Sequence, residues 1–229
     1  MPGYGYGISQ VLTSTKSAAT RGGSAFEYTA IDNNFSMEFD GTNYLNAGND
    51  DSLQLTSDIS ISCWFKTSTT GVVQPLVSKR NTALNNYGYQ SYVDTANVLR
   101  FLVTLNGINT YVAFGTTVVT DGQWHHAVFR LKQNDTIDIY LDGQPEGTAS
   151  VGAESFVESN SDLQIGYQQV GASNYYMVGN IDEVALWGTM LSESTIEAIY
   201  NTTNDNPGKA ADLTETPEGV PVAWYRMGD

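Results

Sequence analysis

The chain has 229 residues, with 25 Asp and Glu against 10 Lys and Arg, a formal charge of −15. Such a surface repels phosphate backbones, which excludes nucleic acid and anionic membranes as partners. An apolar share of 41% excludes global disorder, and a single cysteine, Cys63, excludes a disulfide-stapled module.

Gly, Ser, Thr and Asn are abundant, which favours many short strands joined by tight turns. Residues 1–34 are poor in alternation and carry aromatic islands at Tyr4, Tyr6, Phe26 and Tyr28. They read either as a flexible leader or as an extended arm that orders against a neighbouring subunit, with Tyr4 and Tyr6 supplying contact area. The start has neither a basic stretch nor an apolar stretch, so no signal peptide is expected. No apolar run approaches membrane-spanning length.

From Phe35 the rhythm of strands begins. Phe35, Met37 and Phe39 point one way, Asp40-Gly41 turns the chain, and Tyr44–Ala47 returns. Ile59–Lys66 is a long strand with Cys63 as a buried thiol. Val72–Ser78 is a strand carrying a bulge or an edge at Pro75, and 79–86 reads as a polar loop with Lys79 and Arg80. Tyr87–Val93 and Leu99–Leu105 follow, and Asn106-Gly107 signals a hairpin into Ile108–Phe114. Ala127–Leu131 pairs with Ile137–Leu141, and Asp142-Gly143 turns again. Leu163–Tyr167 and Met177–Trp187 complete the sheets, with Val220–Met227 as a last strand. Ser192 caps the one convincing helix, in which Ile196, Ile199 and Tyr200 share a face. Turn signals every eight to twelve residues predict an all-β antiparallel sandwich of two sheets with one short helix in the C-terminal half.

Within Ile181–Trp187, alternation puts Ile181, Glu183, Ala185 and Trp187 on one face and Asp182, Val184 and Leu186 on the other. Apolar groups on both faces predict a strand in the middle of a sheet. Its two adjacent acids need a cation, a backbone donor or an edge facing water. Trp64, Trp124 and Trp187 are expected with Phe39 in the interior. His125 and His126 read as structural or surface residues.

Four segments together resemble the laminin-G-like, concanavalin-A-like jelly roll. They are Met37-Glu38-Phe39-Asp40-Gly41 with Tyr44, Ile59–Phe65, Gly122–Val128 leading to Ile139–Gly143, and Gly179–Val184 before Leu191-Ser192-Glu193. The resemblance spans about residues 35–227 and divides the chain into an arm, 1–34, and a jelly-roll domain, 35–229. It implies a structural Ca²⁺ near Asp40, Asp182 and Glu183. The loop holding Asn46, Asn49, Asp50 and Asp51 is a second candidate. Glucanases of this superfamily carry Glu-x-Asp-x-x-Glu or Glu-x-Asp-x-Glu on one strand, and this chain has neither, so no enzymatic activity is expected.

Lectin sites on this fold use loop aromatics for sugar faces, and Tyr87, Tyr89, Tyr92, Tyr167, Tyr175 and Tyr176 have that make-up, as would a Tyr-rich protein interface. The reading is a non-enzymatic display or attachment module, expected at a phage-like virion or other extracellular surface. It assembles with itself or with other virion proteins through its arm and takes glycans as possible ligands. The alternatives are a carbohydrate-binding module of a polysaccharide-processing system and, further off, a glycoside hydrolase.

Overall fold

The computed structural model describes residues 28–80, 87–157 and 159–228; Tyr4 and Tyr6 lie outside them. In chain order the strands begin with β1 (Ala30–Asp32), β2 (Met37–Asp40), β3 (Leu45–Gly48), β4 (Ile59–Lys66), β5 (Gln74–Arg80) and β6 (Gly88–Val93). They continue with β7 (Leu99–Thr104), β8 (Thr110–Phe114), β9 (Trp124–Lys132), β10 (Thr136–Leu141), β11 (Gln144–Ser150) and β12 (Leu163–Ile165). The last are β13 (Tyr167–Val170), β14 (Ser173–Tyr176), β15 (Val178–Trp187), β16 (Lys209–Ala211) and β17 (Ala223–Tyr225), with helix α1 (Glu193–Asn204) before β16.

Two antiparallel sheets form the sandwich. One runs β11-β10-β9-β4-β15-β17, with β2 beside the first half of β15; the other runs β3-β12-β5-β6-β7-β8. The expected all-β jelly roll is the observed architecture. Phe39, Ile61, Phe65 and Phe129 of the first sheet meet Leu76, Phe101, Val103 and Ile165 of the second in one core. Phe101 and Phe129 face each other with ring centroids 5.5 Å apart. Cys63 lies in this core, and burial pushes its thiol up to about 12.

A second, smaller core covers the outer face of the seven-stranded sheet. There Val128, Tyr140, Ala185 and Trp187 pack against Ile196 and Ile199 of α1, with Tyr28, Ala211 and Leu213. The helix starts as its cap residue dictates, since Ser192 Oγ accepts from the Thr195 N–H at 3.2 Å. Tyr28 is buried and β1 pairs with β16, so the described domain takes in residues that the sequence assigned to the arm, which ran to residue 34. Those positions show no alternation because β1 is three residues long and serves the cap.

Several expectations are corrected here. Lys79 and Arg80 are not loop residues but the buried end of β5. β11, absent from the sequence reading, forms the partner of β10 through the two-residue turn Asp142-Gly143, where φ is +50° and +78°. Its pattern QPEGTAS hides it, because β11 is an edge strand with few apolar side chains. That edge closes on β8. Glu146 Oε1 accepts from the Thr116 and Thr117 N–H groups, each at 2.6 Å, and a Cβ on Gly147 would lie 2.2 Å from the Phe114 carbonyl oxygen. Replacing Glu146 with alanine is therefore expected to lower stability by about 1–2 kcal/mol in urea titration, since it releases two charge-assisted bonds.

The alternation expected for Ile181–Trp187 breaks at one residue. Asp182 pairs with Trp64 and Ala185 with Ser62, so two residues of β15 stand opposite Cys63 alone. Glu183 takes the bulge at φ +49°. Ile181, Val184 and Leu186 then point into the inter-sheet core, whereas Ala185 and Trp187 point at the helix. No helix among the described residues is long and apolar enough to cross a membrane.

Candidate functional site

The tyrosines named from sequence divide into those the fold buries and those it presents. Tyr89 is 1% exposed and faces Phe156 in the core, with ring centroids 6.5 Å apart, so it is no binding residue. Tyr92 is half-buried on the outward face of β6 beside Arg100, and Tyr87 is half-buried just before β6. They do not form one loop platform with Tyr89.

Tyr167 and Tyr176 do come together, with a third ring that the sequence reading left out. They are cross-strand partners in the β13–β14 hairpin, with ring centroids 5.0 Å apart. Tyr44, just ahead of β3, stacks on Tyr167 at 4.6 Å and 25°, and lies 6.3 Å from Tyr176. Tyr44 is 40% exposed, so the cluster opens to solvent. The Tyr167 hydroxyl donates to Asn174 Oδ1 at 2.8 Å, which fixes its ring and adds an amide to the rim. Burial first, then the neighbouring Tyr176 and Tyr44, holds the Tyr167 phenol above its usual range, so it stays neutral. Tyr175 pairs with buried Gln168 and so points to the opposite face of the hairpin.

One glycine sets this geometry. Gly166, at φ +77°, ends β12, accepts from the Met177 N–H at 2.9 Å and redirects the chain into β13. A Cβ there would lie 2.4 Å from the Phe39 ring, so only glycine lets the hairpin leave the sheet at this point.

The three acids expected around Ca²⁺ are not gathered into one oxygen shell. Asp40 closes its own turn, where Oδ1 accepts from Thr42 N–H at 2.8 Å, Thr42 Oγ1 at 2.7 Å and Asn43 N–H at 3.2 Å. Asp40 is paired with Val178, four residues from Asp182 along β15, or about 13 Å at the usual strand rise. Glu183 lies beneath the cap, with Oε2 accepting from Trp224 Nε1 at 2.6 Å and Oε1 from Arg226 Nε at 3.3 Å. Burial, reinforced by Asp182, pushes its carboxyl up to about 7.

The second loop is organised around an internal ammonium. Lys79 Nζ donates to Asn49 Oδ1, Ser159 O and Ser161 O, while Asp50 caps the 3₁₀ turn Asp51–Leu53. Among the described residues no group of three or more His, Cys, Asp or Glu is placed to hold a metal ion.

The two histidines are structural. His125 Nδ1 lies 2.8 Å from Asp142 Oδ2 and Nε2 lies 3.2 Å from Asp121 Oδ1, partners that local sequence did not reveal. His126 is fully buried, 2.8 Å from Ser62 Oγ, and stacked on Trp64 at 5.1 Å. A cavity of about 10 Å³ beside Ser62, Trp64, Glu183 and Thr203 has room for one water molecule and no more.

This architecture belongs to a known class. Residues 39–197 match the laminin G 3 family of the concanavalin A-like lectin/glucanases superfamily, and the chain belongs to it. No curated protein matches the sequence. Among solved structures, the chain is similar to the CBM40 of the IT-sialidase of Ruminococcus gnavus. The TM-score is 0.60 at 12% identity, covering 75% of this chain and 98% of that one. A carbohydrate-binding protein of Bacteroides ovatus, so described provisionally, aligns with a TM-score of 0.63 at 13% identity, over 89% of this chain and 53% of that one. Mouse laminin α1 domains LG4-5 align with a TM-score of 0.52 at 15% identity, over 69% of this chain and 41% of that one. At these identities the likeness is one of fold.

Proposed function

We propose that the chain is a glycan-recognition module that seats sugar rings on the Tyr44–Tyr167–Tyr176 platform and acts by binding, not by bond cleavage. The observation that carries this is the platform itself: three clustered rings with an amide at the rim, on a hairpin beside a lectin-type sandwich. Phenol faces suit the C–H faces of pyranoses, and the amide suits their hydroxyls. In keeping with this, the R. gnavus CBM40 is known bound to α2,3-sialyllactose, and a botulinum neurotoxin binding domain in complex with SialylT. The acids nearest to a hydrolase pair, Asp182 and Glu183, are buried beneath the cap, where no saccharide reaches.

The test is a glycan array, with neutral and sialylated saccharides, probed with the wild type and with Tyr44→Ala and Tyr167→Ala. Binding is expected in the wild type and is expected to fall at least tenfold in each variant, with unfolding midpoints little changed for the exposed Tyr44. Silence of the wild type across the array would remove the reading.

The same proposal places the module on a multi-copy surface, such as a virion, with residues 1–27, which carry Tyr4 and Tyr6, making the contact between copies. Support comes from composition alone: a Gly/Tyr segment ahead of an acidic, independently cored sandwich. Light scattering of the full chain is expected to give an oligomer that dissociates when residues 1–27 are removed; a monomer in both cases overturns this part and leaves glycan recognition untouched.

A further inference from the structure

Among the described residues, the helical cap leaves one strip of the seven-stranded sheet's outer face uncovered, and that strip has a composition of its own. Trp124 of β9 pairs with Lys66 of β4, Lys66 with Asn180 of β15, and Asn180 with Glu38 of β2. Registered partners project to the same side, so these four side chains form a row across four strands, about 14 Å long at the usual strand spacing. They share a face with Trp64 and His126, two residues along, where Tyr200 of α1 stacks on Trp64 at 5.9 Å; among the described residues α1 does not reach the next row. Trp124 is 38% exposed, with Lys66 Nζ 5.5 Å from its ring centroid, and Val178, beside Asn180 on this face, is 37% exposed.

A solvent-facing indole on a strand is unusual in a chain that buries Trp187 to 1% and ties the Trp187 and Trp224 N–H groups to internal acceptors. The row continues from the indole through an ammonium and an amide to a carboxylate. Its net charge is zero within a chain of −15. A polyanion would be repelled by the whole molecule, and in the middle of the row a peptide strand finds no free backbone edge, because Lys66 of β4 lies between β9 and β15, and Asn180 of β15 between β4 and β2. A neutral polyhydroxylated chain meets neither obstacle: one sugar face lies on the indole, and successive hydroxyls meet Lys66, Asn180 and Glu38.

We infer that the Trp124–Lys66–Asn180–Glu38 row is a second saccharide site, for a neutral oligosaccharide lying across the strands. It shares no residue with the tyrosine platform on the β13–β14 hairpin. The inference rests on the glycan reading and extends it, but it uses different residues and has its own readout.

The experiment is an NMR titration of the full chain, following the four tryptophan indole N–H resonances, with maltohexaose, cellohexaose and mannohexaose as probes. The Trp124 resonance, assigned by its loss in Trp124→Phe, is expected to shift with at least one probe, both in the wild type and in Tyr167→Ala. Affinity is expected to fall about tenfold or more in Trp124→Ala and several-fold in Asn180→Ala. An unmoved Trp124 resonance with all three probes overturns the second site, while the array result for Tyr44 and Tyr167 stands or falls by itself. A Trp124 shift that disappears in Tyr167→Ala also overturns it, since the two sites would then be one. A Trp124 shift alongside an array signal indifferent to Tyr44 and Tyr167 supports this site and removes the tyrosine platform.

Discussion

Replacing Trp187 with alanine is expected to lower the unfolding free energy by about 3–5 kcal/mol, the range for deleting a buried aromatic ring. The ring is 1% exposed and sits between the outer face of β15 and the cap, against Ala185, Leu191 and Ile196. Its N–H donates to Thr216 Oγ1 at 3.2 Å and to Gly219 O at 3.0 Å, so its loss also removes one donor from each. Urea denaturation should show a lower midpoint for Trp187→Ala. Trp124→Ala removes a ring that is 38% exposed and should cost clearly less than Trp187→Ala. If the two variants proved equally destabilised, the division of the tryptophans between core and surface would be wrong.

That pair of variants also measures what could be read in advance. The sandwich, its turns and its helix cap were legible, because alternation and Asp-Gly or Asn-Gly pairs are local signals. The expectation that Trp64, Trp124 and Trp187 would fill one interior with Phe39 was not met. Phe39 alone lies between the sheets; Trp64 and Trp187 face the helix, and Trp124 faces water. Alternation assigns a residue to one of two faces but does not say which face is covered, or by what. In β15 even the faces were misassigned, since a single bulge at Glu183 moves every later side chain across the sheet. Nothing in Ile181-Asp182-Glu183-Val184 marks that bulge except the two adjacent acids, whose strangeness in a central strand was the available clue.

The site was legible in part for a similar reason. Tyr167 and Tyr176 flank a short polar hairpin, so local sequence could propose them as neighbours. Tyr44 lies more than a hundred residues earlier and joins them only because β3 pairs with β12. Tyr89 was misread because its companions Tyr87 and Tyr92 are half-exposed, while strand register turns Tyr89 inward against Phe156. The Trp124 row needs three strand pairings at once, so no local pattern could show it.

Two buried groups should make the domain's stability nearly indifferent to pH between about 4.5 and 6.5, and mutating either should reveal the other. His126 is fully buried, and burial pulls its imidazole down from 6.5 to about 4. Its folded value is depressed, so the unfolded chain binds the proton first. The stability of its neutral, buried form is present above 6.5 and is lost as pH falls toward 4, a slope worth about 3 kcal/mol in all. Glu183 runs the other way. Burial and the neighbouring Asp182 raise its carboxyl from 4.5 to about 7, so the folded chain binds that proton first. Its protonated form favours the fold below 4.5, and that advantage is lost as pH rises through 7, again by about 3 kcal/mol. The two slopes oppose each other over almost the same window. His125, held above its usual range first by its hydrogen bond to Asp142, adds stability that is lost as pH rises through its raised value, and it is unchanged in both variants. Glu183→Gln should therefore lose about 3 kcal/mol relative to its own neutral value as pH falls from 6.5 to 4. His126→Gln should lose about as much as pH rises from 4.5 to 7. Urea midpoints across that range check both slopes. Parallel curves for wild type and Glu183→Gln would mean that Glu183 does not titrate in this window, and that Trp224 and Arg226 hold its charge as fully as water does.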